Sequence, residues 1–289
     1  MRKHYTLAGA ALAALVISGP VSAQTAGSIE KGRVIYAAGG CGNCHTDKKN
    51  KGPVAGGGAA LKTPFGEFFG PNITPDPKNG LGKWTEADFI KAMREGRAPD
   101  GRHYFPVFPY PSFTYMSDAD LKNLWAFMKT LKPSGRANKK HDIAFPFNLN
   151  FGQGVWKSLF FKKGPFKPVA GKSDEWNRGA YLSVAVSHCG ECHTPRNKMG
   201  ALSMSDWFSG VEEGKGPEGE AVPAITNDEA GIGSWSVEEI AEYLKSGETP
   251  DGDFVGSLMA EVIDGGTSEL SDADRKAIAV YVKSAAPPN

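Results

Sequence analysis

Cys41-Gly42-Asn43-Cys44-His45-Thr46 and Cys189-Gly190-Glu191-Cys192-His193-Thr194 decide how this chain is read. Two thiols spaced by two residues and followed directly by a histidine is the spacing of covalent haem attachment. The thiols add across the two vinyl groups of a haem, and the adjacent imidazole becomes the proximal iron ligand. Three other chemistries use paired cysteines. Disulfides form in exported chains, zinc sites place cysteine pairs about 15–20 residues apart, and redox dithiols use C-x-x-C. None of them requires a histidine after the second cysteine, and here it occurs twice. His45 and Cys189 also stand too far apart for a zinc ribbon. Two covalently bound haem c groups are expected, held by Cys41, Cys44 and His45 and by Cys189, Cys192 and His193.

The two motifs head two copies of one pattern. Pro71-Asn72-Ile73-Thr74 is answered by Pro223-Ala224-Ile225-Thr226, and Gly82-Lys83-Trp84-Thr85 by Gly233-Ser234-Trp235-Ser236. Pro99-Asp100-Gly101 is answered by Pro250-Asp251-Gly252, and Ser117-Asp118-Ala119-Asp120 by Ser271-Asp272-Ala273-Asp274. Such ordered self-similarity marks a duplicated unit. The reading is all-α: two tandem domains, 24–135 and 175–289, each with three main helices around a haem and long loops. The first helix precedes the motif, at Ile29–Ala38 and Trp176–Val186. The second starts at Thr85 or Ser236, where Asp88 and Glu239 complete capping boxes. The third starts at Ser117 or Ser271, with Met93 and Leu244 as core residues on the second. Strand alternation is nearly absent. Residues 136–174 carry Phe145, Phe147, Phe151, Trp156, Phe160, Phe161 and Phe166 among lysines. They read as an aromatic and basic strap packed along both domains, with a docking patch as the alternative.

The chain begins with Met1-Arg2-Lys3, an apolar run from Leu7 to Ile17, and Val21-Ser22-Ala23. That is the pattern of a secretory signal peptide at 1–23, cut after Ala23, and it implies a periplasmic protein. The run is shorter than the roughly 20 residues that span a bilayer, and no later segment reaches that length. Net charge is +1, but it is unevenly placed. Residues 24–135 hold 15 Lys+Arg against 10 Asp+Glu, residues 136–174 hold 8 against 2, and residues 175–289 hold 8 against 20. A dipole of this kind steers charged partners. No nucleic-acid reading module accompanies the basic stretch.

Thr63-Pro64-Phe65-Gly66, Asn72-Ile73-Thr74-Pro75-Asp76, Gly82-Lys83-Trp84, Arg94-Glu95-Gly96, Cys192-His193-Thr194-Pro195-Arg196 and Pro250-Asp251-Gly252 carry a family resemblance. The chain resembles the cytochrome c subunits of bacterial periplasmic or membrane-bound alcohol, aldehyde and sugar dehydrogenases. The resemblance covers nearly the whole chain after the leader. It implies class I cytochrome c domains, His/Met ligation, and partners that are redox proteins: a dehydrogenase as donor and a cytochrome or oxidase as acceptor. Family members often have three haems and a C-terminal anchor; here there are two motifs and no anchor-like segment.

On the family pattern the sixth ligand of the second haem is Met259, on the loop after Gly252. Counting the same distance from Gly101 reaches Phe108, which cannot bind iron. Met116, just ahead of the last helix, is the nearest substitute, His103 is another, and an open or water-bound iron is the third possibility. The expected function is an electron carrier rather than an enzyme. The alternative is a haem enzyme with a substrate at an open first haem; a sensor module would need an output domain, which the sequence lacks.

Overall fold

The computed structural model describes Met1 and residues 22–288. Most of the expected leader at 1–23 therefore lies outside the described residues. The protein is largely helical with one small sheet. In chain order the main elements are α1 (Ser22–Ala38), α2 (Cys41–His45), β1 (Ala60–Thr63), β2 (Gly66–Phe69), α3 (Glu86–Glu95), α4 (Tyr110–Phe113), α5 (Asp118–Met128), β3 (Asp142–Ile143), α6 (Asn150–Phe160), α7 (Asp174–Tyr181), α8 (Gly190–His193), α9 (Val237–Ser246), α10 (Ser257–Ile263) and α11 (Asp272–Val282). Among the described residues no helix is long and apolar enough to cross a membrane.

The helix starts follow from their first residues. Thr85 and Ser236 each accept from the backbone N–H three residues on, while Asp88 and Glu239 accept from the cap residue's own N–H, so both capping boxes form. Ser117 and Ser271 cap α5 and α11 by the same hydroxyl-to-backbone bond. Each such cap stabilises its helix by about 1 kcal/mol. Gly96 and Gly247 end α3 and α9 in left-handed conformation, donating to the carbonyls of Ala92 and Tyr243.

α1 packs on α5, and α7 packs on α11. Both crossings are closed by a glycine: a Cβ on Gly32 would stand 2.0 Å from Asn123 O, and one on Gly179 would stand 1.8 Å from Ala277 O. Around these crossings lie two apolar cores. One gathers Phe89, Met93, Phe113, Met116, Leu121, Leu124, Trp125 and Met128, with Phe89 stacked on Trp125 at 5.1 Å. The other gathers Trp176, Leu182, Val184, Phe208, Ile240, Leu244, Ile278 and Tyr281. The cores interlock, because Ala38 at the end of α1 belongs to the second and Ala185 to the first.

Two features depart from the helical expectation. β1 and β2 form a hairpin, with Thr63 opposite Gly66, and β3 adds to β2 through Asp142 and Ile143. Strands of two to four residues are too short for alternation to be read. The helix expected to run to Val186 stops at Tyr181 and continues as a buried π-turn, Leu182–Val186. Such wide turns insert one residue per turn and commonly sit at functional sites. Here the turn leads directly into the second cysteine motif.

Candidate functional site

Both cysteine motifs sit on short helical turns after a first helix. No disulfide joins the four cysteines, and the described residues contain no cluster of three or more His, Cys, Asp or Glu able to hold a metal ion. Burial pushes the thiols of Cys41 and Cys189 up to about 12 and that of Cys44 up to about 11. Each pair is followed by its own histidine, which fits thioether attachment of one haem per pair.

The histidines are held identically. His45 Nδ1 donates to Pro71 O at 2.7 Å, and His193 Nδ1 donates to Pro223 O at 2.9 Å. A carbonyl can only accept, so the proton is on Nδ1 and the Nε2 lone pair is free for a metal. Burial lowers the pKa of both imidazoles, against the raising effect of the carbonyl bond. Each histidine is therefore a neutral, oriented donor. Pro71 and Pro223 head the repeated Pro-x-Ile-Thr segments, so the repeat carried these second partners although their role was not foreseen.

The loops around the histidines repeat bond for bond. Gly57 N donates to His45 O at 2.7 Å and Gly210 N to His193 O at 2.9 Å. Ala55 N and Phe208 N donate to the hydroxyls of Thr46 and Thr194. Farther on, Tyr104 N donates to Gly96 O and Val255 N to Gly247 O. Four residues beyond this matched pair stand Phe108 and Met259. Phe108 packs on the rings of Tyr104, Tyr110 and Phe113, beside the core that holds Met116 and touches Cys41. Met259 is half-buried against the second core, as is Cys189. It lies on α10, a short helix rather than the expected loop.

Met116 is 1% exposed, between Phe113 and the cap of α5. Arg94 Nη2 donates to its carbonyl at 2.8 Å, and the next N–H, of Ser117, donates to Tyr181 Oη at 3.0 Å. The residue before the second cap is Leu270, 5% exposed, whose carbonyl accepts from Arg275. A hydrocarbon side chain fills the matching position there. His103 faces elsewhere. Its Nε2 accepts from Arg97 at 3.2 Å, its backbone exchanges bonds with Asn150, and α6 covers it through Gly154. Met93 and Leu244 are both buried core residues, as expected.

The two motifs meet. His188, beside Cys189, approaches Gly39 O at 3.2 Å through Nε2, and its ring lies edge-on to Phe113. The third residue of each motif reaches into the other half. Asn43 Nδ2 donates to Glu261 O on α10 at 3.0 Å, and Glu191 Oε1 accepts from Ser112 Oγ on α4 at 2.8 Å. Lys48 adds bonds to Asn43 and to the Glu261 carboxylate, both at 3.0 Å. Nothing in the spacing of the sequence announced these crossings.

Comparison with known proteins defines the class. The cytochrome c family model matches residues 29–132. A dihaem c-type cytochrome of Cereibacter sphaeroides is 46% identical over 262 residues, covering 89% of this chain and 86% of that protein. The chain belongs to the dihaem c-type cytochrome family, and it also resembles cytochrome subunits of dehydrogenases. The fructose dehydrogenase cytochrome subunit of Gluconobacter japonicus is 37% identical, with 89% of this chain and 52% of that subunit covered. The cytochrome c subunit of the quinone alcohol dehydrogenase of Gluconacetobacter polyoxogenes is 35% identical, at 94% and 60%. The chain thus spans little more than half the length of these dehydrogenase subunits.

Proposed function

We propose that this chain is a periplasmic electron carrier built from two class I cytochrome c domains, 24–135 and 175–289, joined by the strap 136–174. It passes electrons from a dehydrogenase to a respiratory acceptor. The observation that carries the proposal is the matched pair of bonds, His45 to Pro71 and His193 to Pro223, each directly after a C-x-x-C pair. The haem supplies reversible one-electron Fe(III)/Fe(II) chemistry when bound.

The chain's own residues do the rest. Cys41 and Cys44, and Cys189 and Cys192, anchor the two groups by thioethers. His45 and His193 present Nε2 to iron. Met259 would supply the sixth ligand in the second domain, and the buried sulfur of Met116 would do so in the first. The apolar cores exclude water and so help set the potentials. The contact of His188 with Gly39 supports a short path between the two sites. The relatives named as dehydrogenase subunits support a dehydrogenase as donor.

The test is an intact mass and a spectrum. A chain cut after Ala23 and heavier by two haems, low-spin in both oxidation states, is the expected result; a mass without haem rejects the proposal. Phe108, at the place matched by Met259, favours one second reading: a haem enzyme with a substrate at an open first site. That reading predicts half the native haem high-spin and one carbon monoxide bound per reduced chain.

A further inference from the structure

The strap divides its apolar residues between two faces. One face is packed inward: Phe161 lies edge-on to Tyr110, Phe166 edge-on to Tyr181, and Phe166 N donates to Tyr115 O. The other face is bare. Phe145 is 77% exposed, Phe147 47%, Phe151 82%, Val155 44% and Leu159 63%. Phe151, Val155 and Leu159 recur every four residues along α6, so they form a single outward row. Trp156 Nε1 on α6 donates to the carbonyl of Met199, itself 50% exposed, at 2.8 Å.

This row is held firmly. Lys157, on the inner side of α6, donates to Glu95 O and Gly96 O at 2.6 Å each, at the end of α3. Its ammonium also lies 4.4 Å from the Tyr110 ring centroid. Asn150 and His103 exchange two further bonds at the start of the helix. An apolar face presented on a docked helix is a built surface rather than a loose end.

Exposed lysines flank it along the chain, with Lys163 paired to Glu95 and Lys139 over the Phe69 ring. Lys139 and Lys140 lie before the row and Lys162, Lys163 and Lys167 after it, all exposed. Residues 136–174 contain 8 Lys+Arg against 2 Asp+Glu. A second copy meeting this face through the same surface would bring like charges together. A lipid leaflet accepts protruding rings without matching pockets, and anionic headgroups take the flanking lysines.

We propose that this face, Phe145 to Leu159 with its flanking lysines, is an interfacial docking surface for an anionic phospholipid membrane. The apolar row enters the boundary between headgroups and acyl chains, and the lysines lie among phosphates. This face would then hold the chain at a membrane surface. This goes beyond electron transfer and is testable apart from it.

The experiment is co-sedimentation of the haem-loaded protein with vesicles of equal parts phosphatidylcholine and phosphatidylglycerol, and with vesicles of phosphatidylcholine alone. Binding is expected to the mixed vesicles and to weaken as salt rises. The double variant Phe151→Ser/Leu159→Ser should lose about tenfold or more in partitioning, because it removes two buried apolar side chains. The triple variant Lys139→Gln/Lys140→Gln/Lys162→Gln should lose about fivefold per lysine on mixed vesicles. An unchanged haem spectrum and thermal midpoint would show that both variants are folded. Parent protein left in the supernatant with mixed vesicles overturns the proposal, as do variants that bind like the parent. Equal binding to pure phosphatidylcholine overturns the anionic-lipid assignment. Binding to an acidic protein without any vesicle binding gives the face to a protein partner instead.

Discussion

His45 and His193 each give one nitrogen to a proline carbonyl and keep the other free, so the tautomer is chosen before any metal arrives. Sulfur is the next question. Met259→Ala should leave the first haem untouched and turn the second high-spin with a lowered potential, since the axial ligand is a main lever on potential. Optical and EPR spectra with a redox titration check this, and a titration matching the parent would remove Met259 as ligand. Met116→Ala should do the same to the first haem. If Met116 serves only as Leu270 does in the second half, the change will cost stability without altering the spin state. Lys157 makes a different prediction. Burial, assisted by Arg97, lowers its pKa to about 8 against the raising effect of Glu95. The unfolded chain keeps the ordinary value near 10.4. Between those values the unfolded state binds more protons, so stability rises with pH. Urea unfolding at pH 8 and pH 9.5 should show stability rising by on the order of 1 kcal/mol from this group, absent in Lys157→Met. Seven tyrosines raised by burial, Tyr243 among them, oppose this gain as the unfolded chain's tyrosines ionise towards pH 10, so the gain is read as the difference between the parent and Lys157→Met.

Helix pairs carry the next level. The crossings of α1 with α5 and of α7 with α11 depend on Gly32 and Gly179, where a methyl group would overlap a backbone carbonyl. Gly32→Ala or Gly179→Ala should each cost roughly 2–3 kcal/mol, the price of overpacking a close contact. Denaturant unfolding of the haem-loaded protein measures it, and an unchanged midpoint would mean the crossing can slide. The links between α2 and α10, and between α8 and α4, have a redox consequence. Asn43 holds the backbone of Glu261, two residues from Met259, and Glu191 holds Ser112, between Phe108 and Met116. Losing either bond frees about 1 kcal/mol of restraint. Asn43→Ala should therefore shift the potential of the second haem more than that of the first, although Asn43 lies in the first motif. Equal shifts in both would deny the crossed restraint.

Across the whole molecule, charge separates along the chain: the first half and strap are basic, and the second half is acidic. Where the halves meet, Arg33 pairs with Glu269 at 2.9 Å and Lys48 with Glu261 at 3.0 Å. All four side chains are well exposed, so these pairs contribute less than about 1 kcal/mol each. Interlocked apolar cores, not ion pairs, hold the halves together. The remaining charge is available for steering. Electron-transfer rates with oppositely charged redox partners should fall as ionic strength rises through the range where the screening length drops below about 10 Å. Stopped-flow rates that ignore salt would end this argument.

The haem-attachment chemistry and the starts of four helices were legible in the residues alone. Each depends on short-range chemistry: thiol spacing, a histidine next to a cysteine, or a hydroxyl capping the N–H groups that follow it. The substitution at Phe108 was legible for the same reason, because the repeat supplied its own internal reference in Met259. The rest needed the fold. The carbonyls of Pro71 and Pro223, the π-turn before Cys189, the bonds from Asn43 to α10 and from Glu191 to α4, and the bare side of α6 all join residues distant in sequence, or depend on which side of a helix is already occupied. A local pattern gives a residue its chemical type, but which groups face one another is set by packing two cores together, and that is decided only in three dimensions.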